Sequence, residues 1–199
     1  SNIDLFMGGG FDTYKDYKQQ FWDKGYKTVE TLENLTYSYE KVFACFNNVV
    51  AEAGDYSSPT LQMMTTYAIG FMEENFPQGY FIMIEGAHID KMSHSNDIFK
   101  MVSYLNSFDE SIKIAYDKLK DQNISITITA DHETGGLYFN NETKTLIDNK
   151  MFTTSGHTSA DVPYYFFINP NKELKIDKIL PKKMDNTDIF KLNKSLLNL

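Results

Sequence analysis

Four histidines, His88, His94, His132 and His157, stand outside any charge run on a solvated helix face. Asp90 lies four residues before His94 and five after Glu85, Asp131 adjoins His132, and His157 follows a glycine in TSGHTSADVP. Imidazoles and carboxylates are the ligands zinc takes when thiolates are lacking, and Cys45 is the single cysteine. A helical turn between Asp90 and His94 would place both on one face. Neighbouring Asp131 and His132 would diverge along an ideal strand, so both belong to the loop where a strand ends. Each piece alone has a commonplace explanation, since aspartates cap turns and histidines satisfy backbone groups. Gathered on one rim, they would form a metal-binding cluster.

The elements expected to position them alternate between strand and helix. Residues 3–7 read as a strand closed by Gly8-Gly9-Gly10, Asp16–Lys24 as a helix ended by Gly25, and 27–32 as a short strand. Residues 36–54 give no clear pattern. Ser57-Ser58-Pro59 starts a helix whose apolar face is Leu61, Met64, Ala68, Ile69 and Met72. Tyr80–Ile84 is a continuous apolar run of the kind a buried strand shows, ending at Glu85. A longer helix is expected from about Ser95 to Lys120, with Ile98, Met101, Val102, Leu105, Phe108, Ile112, Ala115 and Leu119 as its core stripe. Strands follow at Ile124–Thr129 and Val162–Ile168, and the tail from residue 186 to 199 reads as a capped amphipathic helix. This order predicts an α/β layered sandwich, a largely parallel sheet with helices on both faces. Chemistry in such sheets collects at the carboxyl ends of strands, where Glu85 and Asp131-His132 fall.

Composition sets limits on partners. With 199 residues, 42% hydrophobic and 15% aromatic, the chain can bury a core. A net charge of −8 argues against nucleic-acid binding, which needs a basic footprint. Phosphate substrates stay open, because bound divalent metals reverse the local sign of a site. No apolar run reaches the roughly 20 residues of a membrane span. One cysteine excludes a disulfide within the chain, and the apolar run Val42–Phe46 around Cys45 predicts a packing role.

Three segments, IEGAHIDKMSH (84–94), TADHETGGL (129–137) and GHTSADVP (156–163), resemble the metal-binding segments of alkaline phosphatases, in the same order and at similar spacing. The resemblance runs from about Asp4 to the end and takes in the MGGG turn and the NTDIF tail. It implies that residues 1–199 are the C-terminal part of one alkaline-phosphatase-like domain. It also implies phosphate monoester hydrolysis by two zinc ions and one magnesium ion, through a phosphoserine intermediate. Asp90, His94 and His157 resemble the ligands of the first zinc, Asp131 and His132 those of the second, and Glu85 a ligand of magnesium. Lys91 resembles a lysine that some members place near the phosphate through water; the plain alternative is a solvated surface lysine. A periplasmic or secreted location and a homodimer are implied in the same way.

The match has gaps. The family's nucleophilic serine lies well before the MGGG turn, and Ser93, Ser95 and Ser155 do not occupy its context. All 19 basic residues are lysines, so no guanidinium clamp on phosphate is present. The chain alone is therefore expected to be inactive and to bind one zinc more weakly than a complete enzyme. Two other readings compete: a phosphodiesterase, sulfatase or phosphoglycerate mutase of the wider superfamily, and a truncated protein that binds metal without catalysis.

Overall fold

A computed structural model describes residues 3–50, 58–139, 148–168 and 182–196. Its centre is a parallel three-stranded sheet in the order β1-β3-β2, formed by β1 (Leu5–Gly9), β2 (Lys27–Val29) and β3 (Val42–Phe46). Leu5 and Lys27 both stand opposite Val42. The central strand VFACF is apolar throughout because both of its faces are covered. It lies inside residues 36–54, which carry no clear sequence pattern.

Phe43 turns toward α1 (Phe11–Tyr14) and α2 (Lys18–Trp22), where its ring stacks on Phe21 at 3.7 Å. Val42, Ala44 and Phe46 turn the other way, into a core shared with Met64, Tyr67, Phe71 and Met72 of α3 (Leu61–Asn75). Helices thus cover both faces of this sheet. Cys45 is a free, buried thiol. Burial, and secondarily the Glu30 carboxylate, pushes its pKa up, which keeps it protonated and inert.

The cap of α3 is Thr60, whose hydroxyl accepts a hydrogen bond from Met63 N at 3.1 Å. The sequence pointed earlier, to Ser57-Ser58-Pro59, and Ser57 lies outside the described residues. Thr60→Ala should lower stability by about 1 kcal/mol, read as a shift of the urea midpoint; an unchanged midpoint would mean the cap contributes nothing.

The expected strand at Tyr80–Ile84 carries no ladder. Its burial still alternates: Tyr80 and Ile82 pack on the core, whereas Phe81 and Met83 are exposed. A strand needs a neighbour, and among the described residues none pairs with this run.

Helix α4 (Ala87–His94) and helix α5 (Ile98–Leu119) replace the single start expected near Ser95. Asn96 separates them in a left-handed conformation (φ 53), and Asp97 caps α5 through Lys100 N. The buried side of α5 also differs from the expected stripe. Ser107 and Ser111 are buried, and Ser107 donates to Gln62 of α3, whereas Leu105 is 45% exposed. Small residues let these two helices approach closely, a demand that apolar periodicity does not register.

Strand β4 (Ser125–Thr129) pairs antiparallel with β7 (Tyr164–Ile168), so the parallel order does not extend to this pair. Between them β5 (Glu133–Thr134) pairs with β6 (His157–Thr158). Helix α6 spans Asn186–Leu196, and the last three residues lie outside the described ones. No helix of the described residues is long and apolar enough to cross a membrane.

Candidate metal centre

Ile89 and Met92 anchor α4 to a small core of Ile98, Met101 and Phe152. That packing fixes the rotation of the helix and brings Asp90 and His94 to one side, one turn apart. His94 Nε2 lies 3.4 Å from Asp90 Oδ1. The segment leading into β6 brings His157, whose Nε2 is 3.7 Å from the same oxygen and 3.1 Å from His94 Nε2. Asp131 and His132 follow β4 in a bend, as a diverging pair requires, and His132 Nε2 is 3.2 Å from Asp131 Oδ2. The His132 and His157 rings stack with centroids 3.6 Å apart. Ligand atoms of Asp90, His132 and His157 also lie within 4.8 Å of one another. Four of the six sequence candidates therefore meet in one cluster, and Asp131, 85% exposed at its side chain, adjoins it only through His132.

Their outer contacts orient the rings. Ser155 O is 2.5 Å from His94 Nδ1. A carbonyl can only accept, so Nδ1 carries the proton and Nε2 is the ring nitrogen that faces Asp90 and His157. Electron-rich atoms converging on one point repel unless a proton or cation lies among them, and imidazole with carboxylate is a donor set suited to zinc. Asn96 fastens this arrangement. Its side-chain amide faces the carbonyls of Ser93 and Thr154 at 3.0 and 2.9 Å and donates to both when its nitrogen is turned toward them.

Two sequence candidates stand apart. Glu85 is exposed before α4 and outside the cluster. Lys91 is exposed on α4, and its charge acts on His88. His88 stacks on Tyr104 at 4.6 Å; burial first, then Lys91, holds its pKa below the ordinary value. It is a packed histidine rather than a member of the cluster.

Residues the sequence did not single out complete the site. Thr134 Oγ1 donates to Asp90 Oδ1 at 2.6 Å and lies 3.2 Å from His132 Nδ1. Glu133, beside the candidate ligands in DHET, is engaged instead with Thr158 Oγ1 and Leu137 N.

Comparisons with known proteins agree on the family. The family model described as alkaline phosphatase matches residues 2–189. Alkaline phosphatase 3 of Bacillus subtilis (strain 168) is 27% identical over 207 aligned positions, covering 98% of this chain and 40% of that protein. The cold-active alkaline phosphatase of the psychrophile Shewanella sp. superposes with a TM-score of 0.79 over 98% of this chain and 66% of that one, at 20% identity, a likeness of fold. A variant alkaline phosphatase of TAB5, solved with Mg bound in its M3 site, has a TM-score of 0.61 at 26% identity over 84% of this chain and 54% of that one. The chain spans 31–40% of the length of the first curated relatives it matches.

Proposed function

The chain belongs to the alkaline phosphatase family, and we propose that it carries the metal-holding part of a phosphomonoesterase whose nucleophile lies outside these 199 residues. The observation behind this reading is the meeting of His94 Nε2, His157 Nε2 and Asp90 Oδ1 within 3.7 Å of one another. These three residues would hold the first zinc, and a set of three protein ligands is the kind catalytic zinc takes. Asp131 and His132 hold the second zinc together with a ligand from outside the chain. Glu85 would serve magnesium on the same terms, and Mg is bound in the M3 site of the variant TAB5 alkaline phosphatase. Bound together, two zinc ions would supply Lewis acidity for in-line displacement at phosphorus. The chain's own residues orient the centre: Ser155 O fixes the His94 tautomer, and α4 sets the spacing of Asp90 and His94. We extend the family reading to an extracytoplasmic location and a homodimer.

The chain lacks both the family's serine segment and any arginine. By itself it should bind zinc without measurable hydrolysis of p-nitrophenyl phosphate. The same chain extended by the segment encoded upstream of Ser1 should hydrolyse that ester and lose the activity on chelation. Comparable turnover by the 199-residue chain alone would contradict the proposal. So would an extended protein that prefers phosphodiesters or sulfate esters.

A further inference from the structure

Asp90 and His132 come from separate elements, yet one hydroxyl reaches both. We propose that Thr134 is a positioning residue that couples the two zinc positions, holding Asp90 of the first and His132 of the second; this rests on the metal-site reading above. Its Oγ1 lies 2.6 Å from Asp90 Oδ1. A carboxylate can only accept, and a bond to an ionised acceptor is the stronger one, so the hydroxyl proton is committed to Asp90. The same oxygen is 3.2 Å from His132 Nδ1. With its single proton directed elsewhere, that oxygen can only accept, which places a proton on Nδ1. Nε2, 3.2 Å from Asp131 Oδ2, is then the His132 nitrogen left to face a metal. Thr134 also stands opposite His157 in the β5–β6 register, so the backbone that carries the hydroxyl is tied to a third ligand. A shift of this one side chain would disturb ligands of both positions together.

Two variants of the zinc-loaded chain test the coupling. Thr134→Val keeps the shape and removes the hydroxyl, whereas Thr134→Ser keeps the hydroxyl. Competition against a chromogenic chelator reads the Asp90 arm, and the nitrogen-bound proton resonance of His132 Nδ1 reads the other. Thr134→Val should lower zinc affinity by about 10- to 100-fold and lose the Nδ1 proton signal to solvent exchange. Thr134→Ser should restore both. Loss in only one arm, or equal loss in the serine variant, overturns the coupling. Should the valine variant unfold, the serine variant decides by the same two readouts. His157→Ala separates the two claims. If zinc affinity survives that change, the metal-site reading fails. If His157→Ala loses zinc while Thr134→Val is silent, only the role of Thr134 fails.

Discussion

Replacing Asp90 by asparagine should lower the zinc affinity of the chain by at least about 100-fold, beyond the 10- to 100-fold typical of an outer-shell partner. Asp90 Oδ1 is the atom shared by three contacts of the centre: His94 Nε2 at 3.4 Å, His157 Nε2 at 3.7 Å and the Thr134 hydroxyl at 2.6 Å. Asparagine preserves size and can still accept from Thr134, but it removes the negative charge that offsets a divalent ion. Asp90 is only partly buried on a helix held from its other side by Ile89 and Met92, so the fold should survive. Chelator competition with a circular-dichroism control measures the change. An affinity within threefold of the parent would remove Asp90 from the ligand set.

The second large effect is on stability, at Gly135. Its φ is +93, and an added Cβ would lie 2.4 Å from Phe152 Cδ1. Phe152 is buried with Ile98 and Met101 beneath the site, so its ring has little room to move. Gly135 N donates to Gly156 O, and Gly135 O accepts from Thr153 N and Thr154 N. The glycine therefore joins the turn after β5 to the segment that delivers His157. Gly135→Ala combines a left-handed alanine with overpacking, and should cost about 2–5 kcal/mol. It should also weaken zinc binding, because His157 would move with its loop. Urea denaturation of the apo chain gives the stability term; a loss under about 0.5 kcal/mol, within the range of an ordinary surface change, would show that the turn relaxes freely.

Local signals in the sequence placed the candidate residues on the elements that carry them. The four-residue step from Asp90 to His94 needs only helical backbone, and α4 supplies it. The β-branched run before Asp131-His132 ends where β4 ends. What stayed hidden depends on partners distant in sequence. Residues 36–54 looked patternless because β3 is apolar on both faces and short. The Tyr80–Ile84 run has a strand's alternation but no laddered neighbour among the described residues. On α5, apolar periodicity favoured Leu105, whereas the buried positions include Ser107, which donates to Gln62 of α3, and Ser111. Thr134 was invisible for a related reason. A threonine becomes informative only once Asp90 and His132 are known to lie on either side of it.

Zinc titration followed by the side-chain nitrogen signals of the four histidines would probe the centre most directly. His94 and His157 should shift at Nε2, with His94 keeping a protonated Nδ1, while His88, stacked on Tyr104, stays unmoved. Zinc-dependent shifts at His88, or none at His94 and His157, would contradict the metal centre described for this chain.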